Sequence, residues 1–206
     1  MSIERVFKLT STDEARTVYD EWAERYNHDM LGDTQNYVAP AIASEYVKKY
    51  AGMPGIDALN ILDAGCGTGL VGIELAKQGA SKIDGIDLSP GMLKVARETG
   101  IYQSLSIADL SQPLEQASQA YDVIVCVGTM TQGHVGPEAF DEFVRIGKPG
   151  GFIVSTVRET VWEKSGYKDK VQSLEGAGKA RLLSSGFEDY RRGQGARAVM
   201  VVLQIQ

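Results

Sequence analysis

Between Ile61 and Leu70 the chain reads ILDAGCGTGL, an apolar strand that ends in an acid and runs straight into a turn with glycines at 65, 67 and 69. No other segment constrains the fold as strongly. Glycines carry no Cβ, so the backbone can turn sharply there and approach a ligand closely. The helix that follows, roughly Leu70 to Gln78, begins with amides that have no partner inside the helix and therefore point at whatever occupies the turn. Strand, glycine turn and helix in this order make a cradle for a nucleotide-type cofactor.

Downstream the pattern alternates. Strands are predicted near 60–64, 82–86, 104–108, 121–127 and 151–157, with helices near 70–78, 90–98 and 137–146 between several of them. Such alternation means parallel strands with right-handed crossovers, that is, an α/β fold with a doubly wound sheet. A further helix is predicted from about Asp169 to Ser184, followed by Gly186 to Tyr190 and Ala198 to Leu203. These last two segments lie too close together for a helical crossover and should pair as an antiparallel hairpin at one sheet edge.

Upstream, Ser11 and Glu14 have the spacing of a capping box and open a helix through Tyr26, on which Val18, Trp22 and Tyr26 share a face with Tyr19 beside them. A second helix is predicted from Pro40 to Tyr50, and Gly52, Pro54 and Gly55 mark a boundary. The expected organisation is an N-terminal helical extension over 1–55 and a core domain over 56–206, together one structural unit.

Two cofactor classes use such a turn. Gly67-x-Gly69-x-x-Gly72 spells the dinucleotide fingerprint, with Asp87 at the distance where a ribose-binding acid belongs. Asp63 argues the other way, because it sits just under the turn, where a dinucleotide would bring its pyrophosphate. At ~4 Å and an effective dielectric of ~20, a unit charge pair is worth at most ~4 kcal/mol, with a sign set by the partner. S-adenosylmethionine brings an ammonium and a sulfonium and no phosphate, so the sign of Asp63 favours it over NAD. Asp63, Asp87 and Asp109 fall at the carboxyl ends of three successive predicted strands, along the crevice where open α/β sheets bind ligands. At this point the chain resembles the class I S-adenosylmethionine-dependent methyltransferases, whose first motif is similar to the DAGCGTG at 63 to 69. The resemblance implies a strand order of 3-2-1-4-5-7-6 with the last strand antiparallel.

The resemblance also implies roles. Asp87 accepts from both ribose hydroxyls, Asp109 accepts from the adenine amino group, the Leu110 amide donates to the ring, and Leu88 and Met92 wall the adenine faces. Gly65, Cys66 and Gly67 of the turn and Val127 at the end of the fourth strand complete the set. Two of these residues have plainer readings as well: Asp87 as a helix cap and Met92 as a core residue. The segment Tyr19 to Asp29 is similar to the lid that small-molecule methyltransferases fold over their cofactor, with Tyr26 and Tyr19 at the methionine end; aromatics at this spacing also read as core.

The loop Cys126 to Val135, including Met130, should emerge beside the transferable methyl group. His134 is the candidate general base, since an imidazole with a pKa near ~6.5 can take a proton from a hydroxyl or thiol; it reads equally as a histidine bound to loop backbone. Arg158 and Trp162, with Glu159 and Tyr167, lie on the segment that commonly forms the acceptor wall. Val127-Gly128 stands where an acidic or Asn-Pro-Pro-Tyr motif often ends the fourth strand, which counts against methylation of nucleic acid bases or of protein Asn and Gln. The YDEWAERYNHDM start and the GTMTQGHVG loop are similar to the small methyltransferase-like proteins of the Williams–Beuren region.

Composition narrows the partners. The 206 residues suffice for one α/β domain. A net charge of −6 disfavours polyanions, which need clustered Lys and Arg. No apolar run approaches the ~18 residues of a membrane span, and Met1 to Thr10 has no signal-peptide core. Two cysteines and two histidines without ligand spacing give no zinc site. The expectation is a cytoplasmic monomer or homodimer that binds S-adenosylmethionine and a small-molecule methyl acceptor, with no metal, nucleic acid or membrane partner. Binding of S-adenosylmethionine without transfer, as a regulator or cyclase, and NAD-dependent oxidoreduction remain open on sequence.

Overall fold

The computed structural model describes residues 11–51 and 55–206; Met1 to Thr10 and the boundary residues Gly52 and Pro54 lie outside them. The strands are β1 (Ile61–Ala64), β2 (Ile83–Asp87), β3 (Ser104–Ile107), β4 (Tyr121–Met130), β5 (Gly147–Arg158), β6 (Ala180–Arg191) and β7 (Ala196–Ile205). The helices are α1 (Thr12–Leu31), α2 (Ala39–Ala51), α3 (Leu70–Lys77), α4 (Pro90–Glu98), α5 (Ala139–Ile146), α6 (Glu159–Trp162) and α7 (Tyr167–Gly176). One sheet results, in the order β3-β2-β1-β4-β5-β7-β6, with β7 antiparallel to both neighbours. This is the order the resemblance implies.

Strand β4 runs Val123-Ile124-Val125-Cys126-Val127, near-continuously apolar, as a central strand covered on both faces requires. Alternation then divides its neighbours between two cores. On β7, Ala198, Met200 and Val202 join the cluster that also holds Val18 and Trp22 of α1, Ala43 and Val47 of α2 and Leu75 of α3. Val199, Val201 and Leu203 join the other, with Phe140 and Phe143 of α5 and Val171 and Leu174 of α7. The N-terminal helices thus share a core with the sheet.

Several boundaries differ from the sequence reading. Helix α1 continues to Leu31, with Ser11 capping it by accepting from the Glu14 amide at 3.2 Å. Helix α7 stops at Gly176, because Gly178 takes a φ of 66° and the amides of Gly178 and Lys179 donate to the Glu175 and Leu174 carbonyls. That is a Schellman closure, and residues 180–184, expected in the helix, belong to β6. Strand β4 extends past Val127 through a kink at Gly128 (φ 83°) to Met130. Strand β5, predicted near 151–157, already starts at Gly147, with Lys148-Pro149-Gly150-Gly151 forming an irregularity inside it. Among the described residues no helix is long and apolar enough to cross a membrane.

Candidate functional site

The carboxyl edge of the sheet and α1 above it border a cleft of about 830 Å³, its open mouth included. Its floor begins at the glycine turn. The Gly65 and Cys66 amides donate to the Ile86 carbonyl at 2.8 and 3.0 Å, tying the turn to β2. Gly65 has a φ of 76°, and a side chain there would collide with that of Thr129. Both facts make residue 65 a glycine position. Asp87 Oδ2 accepts from the Gly67 amide at 2.8 Å and Oδ1 from the Ser89 amide at 2.9 Å. One carboxylate therefore clamps the turn to the start of α4 while lining the cleft. Burial raises its pKa, and the amide bonds from Ser89, Gly67 and Leu88 oppose the rise.

Further along the edge, Asp109 Oδ1 accepts from the amide and hydroxyl of Ser111 at 2.8 and 2.6 Å, an Asx turn that presents the carboxylate to the cleft. Leu88, Met92, Ala108 and Leu110 form the apolar walls there, and Val127 lies at the end of β4.

The roof is α1, fastened at three points. Asp20 Oδ1 accepts from Ser89 Oγ and the Gly91 amide at 2.5 and 2.8 Å. Thr68 Oγ1 donates to Asn27 Oδ1 at 2.5 Å. Tyr19 Oη lies 3.0 Å from His134 Nε2. His134 Nδ1 is 2.9 Å from the Gln132 carbonyl, which can only accept. The hydrogen-bond network therefore assigns the proton to Nδ1, leaves a lone pair on Nε2, and makes Tyr19 the donor to it. Burial lowers the His134 pKa, partly opposed by the Gln132 carbonyl, so the ring is neutral at pH 7. Burial likewise raises the Tyr19 and Tyr26 pKa values, which keeps both phenols protonated.

Of the residues singled out from sequence, Tyr19, Tyr26, Gly65, Gly67, Asp87, Leu88, Met92, Asp109, Leu110, Val127 and His134 line this cleft. Five do not. Asp63 is wholly buried beneath the turn, where Tyr102 donates to its Oδ2 at 2.7 Å and Oδ1 has no hydrogen-bond partner. Burial pushes its pKa up to about 7 against the Tyr102 hydrogen bond, so near neutrality it is only part charged. Asp63 thus makes no direct contact with the cleft. Gly72, the last glycine of the dinucleotide spelling, leaves the space that the Tyr102 hydroxyl occupies on its way to Asp63.

Cys66 is buried with its thiol turned to the Gly67 carbonyl, and Met130 is buried in the core with Phe140 and Phe143. Trp162 packs into the same core and borders a separate surface groove with Phe187. Arg158 lies over the Tyr190 ring at 5.0 Å and donates to the Arg197 carbonyl at 2.8 Å. Sequence reasoning missed Thr12, Ala15, Ala108 and Ser111 in the lining, whereas Gly128, Thr129, Gly133 and Val135 belong to the loop it expected there. For Thr12 and Ala15 a signal existed: 12, 15, 19 and 26 fall on one helical face at spacings of 3, 4 and 7.

A family model described as a methyltransferase domain matches residues 61–151. The chain is 40% identical to human methyltransferase-like protein 27 over 141 residues, 68% of this chain and 56% of that protein. It is 33% identical to the ubiquinone biosynthesis O-methyltransferase of Xylella fastidiosa (strain 9a5c) over 122 residues, 57% of this chain and 48% of that protein. The chain thus spans about half the length of the curated relatives it matches. The crystal structure of the cyclase SpnF superposes with a TM-score of 0.71 at 16% identity, covering 96% of this chain and 97% of the other, a likeness of fold. The matched segment starts at the strand that carries the glycine turn and runs past both acids of the cleft, and this part of the chain is a methyltransferase domain.

Proposed function

We propose that the protein transfers the methyl group of S-adenosylmethionine to an oxygen, nitrogen or sulfur nucleophile of a small molecule. The observation that carries this reading is the roofed cleft, which holds Asp87, Asp109 and the glycine turn together with His134. Asp109 with Leu110, and Asp87 at the turn, would hold the adenine and ribose. The fit is chemical: half-buried carboxylates offer acceptors to hydroxyl and amino donors, Leu88 and Met92 offer apolar faces, and the bare turn at Gly65 and Gly67 admits close approach. When bound, the cofactor supplies an electrophilic methyl group for in-line displacement, a reaction helped chiefly by positioning.

At the other end His134 holds a lone pair on Nε2 that Tyr19 engages in the closed cleft. An acceptor O–H or S–H that takes the place of Tyr19 gives its proton to Nε2 as its oxygen or sulfur is methylated. Helix α1 covers this end and would limit the entry of water. The net charge of −6 favours a small acceptor over a nucleic acid. Two free, buried cysteines agree with a reducing, cytoplasmic setting, and we place the protein there as a monomer or homodimer. Calorimetric titration with S-adenosylhomocysteine and NAD, followed by release of labelled methyl groups to an acceptor panel, tests the reading. Binding of NAD alone would overturn it, and binding of S-adenosylhomocysteine without turnover of any acceptor would reduce it to a non-transferring binder.

A further inference from the structure

Two side chains of α1 stand beside the cleft and grip its rim. Asp20 and Asn27 each follow a cleft-lining tyrosine, Tyr19 and Tyr26, by one residue. A separation of seven puts both on one face of the helix, two turns or about 10 Å apart. Their partners are the two ends of one clamp. Asn27 Oδ1 accepts from Thr68 Oγ1 at 2.5 Å, and Thr68 follows Gly67, whose amide donates to Asp87 Oδ2 at 2.8 Å. Asp20 Oδ1 accepts from Ser89 Oγ at 2.5 Å, and the Ser89 amide donates to Asp87 Oδ1 at 2.9 Å. Each oxygen of the Asp87 carboxylate is thus held by a segment that α1 also holds.

Thr68 and Ser89 are both buried, 1% exposed each, so the acceptors on α1 decide where their hydroxyl protons point. The single proton of Ser89 Oγ goes to the Asp20 carboxylate, which can only accept, and its lone pairs are left for the Met92 amide at 3.0 Å. Met92 lines the cleft, so the same bond steadies its apolar wall. Next to it the Gly91 amide donates to Asp20 Oδ1 at 2.8 Å, and a Cβ on Gly91 would stand 3.0 Å from Asp20 Cα. Helix α1 therefore rests directly on the backbone of the first turn of α4. One turn further on, Glu24 meets Lys94 at 3.3 Å in an exposed ion pair, a kind of tie that contributes little.

We infer that Asp20 and Asn27 are positioning residues of the cofactor site, holding the glycine turn and the start of α4 at the separation at which Asp87 and Met92 receive the cofactor. This rests on the cofactor reading above and deepens it by naming what governs that site. Closure of α1 and binding at Asp87 are then one linked equilibrium, in which each favours the other by the same factor.

The test is calorimetric titration of the full chain and its variants with S-adenosylhomocysteine, beside their thermal unfolding. Asp20→Ala and Asn27→Ala are each expected to lower the affinity about tenfold. Asp20→Asn and Asn27→Asp keep an oxygen for the hydroxyl and should stay within about threefold of the wild type, and Glu24→Ala should leave the affinity unchanged. Ser89→Ala retains the amide that binds Asp87 and breaks the same path as Asp20→Ala, so the double variant should lose no more than the weaker-binding single one. Alanine variants that bind as tightly as the wild type, or losses from Asp20→Ala and Ser89→Ala that add in full, would overturn the inference and leave the cofactor reading standing. Where an alanine variant does not fold, amide exchange of the wild-type chain decides: S-adenosylhomocysteine is expected to slow exchange over residues 19–27 about tenfold, and exchange there that the ligand leaves unchanged would break the linkage. Failure of S-adenosylhomocysteine to bind the wild-type chain would instead remove the reading beneath it.

Discussion

Replacing Asp63 by asparagine should make the protein's stability less dependent on pH, by an amount that follows from the carboxyl's place under the glycine turn. An ordinary aspartate titrates at 3.8, and burial pushes this one up to about 7. The native state therefore holds a proton that the unfolded chain releases. Stability from this group is complete below the unfolded value and is lost as pH rises, the loss ending as pH passes the folded value. Each pH step between the two is worth about 1.36 kcal/mol, so the whole span is on the order of 4 kcal/mol, of which about 3 kcal/mol falls between pH 5 and pH 8. For a chain of this size that corresponds to a Tm lowered by roughly 6 to 12 °C. The amide of Asp63→Asn does not titrate and keeps an acceptor for Tyr102. Asp87, also raised by burial, keeps its own slope in both proteins. Urea and thermal unfolding at pH 5, 6, 7 and 8 and constant ionic strength should thus show the two stability curves separating in the variant's favour as pH rises. Parallel curves would refute a buried, proton-holding Asp63.

Asp87→Ala should weaken S-adenosylhomocysteine binding by at least about 100-fold in calorimetry, from two lost hydrogen bonds to a charged group at roughly 1.5 kcal/mol or more each; it should also loosen the turn, because Gly67 and Ser89 lose their acceptor. Tyr19→Phe removes the donor to His134 Nε2 and should raise that imidazole's pKa by about 0.7, from a hydrogen bond of about 1 kcal/mol. The measurement is an NMR pH titration in which exposed His28, the only other histidine, serves as the reference; an unchanged midpoint would deny the contact. Trp162→Ala, at a core position instead of an acceptor wall, should destabilise the fold by about 3 to 5 kcal/mol. It should leave the S-adenosylhomocysteine affinity of the remaining folded protein intact; a selective loss of acceptor binding without loss of Tm would show that Trp162 meets substrate after all.

Local chemistry determined much of this molecule before any contact was known. Apolar runs separated by helical periods mark β1 to β5, glycines at 65, 67 and 69 mark the turn, and acids at strand ends mark Asp87 and Asp109, because backbone freedom and side-chain period are properties of short segments. Gly178 also carries a local closing signal for α7, which the expected helix to Ser184 passed over. Tertiary structure decided the rest. Tyr19 meets His134 across 115 positions and Tyr102 reaches Asp63 across 39. Asp20 meets Ser89 across 69 positions and Asn27 meets Thr68 across 41. Which acid is dry and which histidine nitrogen carries the proton depend on burial and on pairings between distant segments. No window of sequence contains either of these.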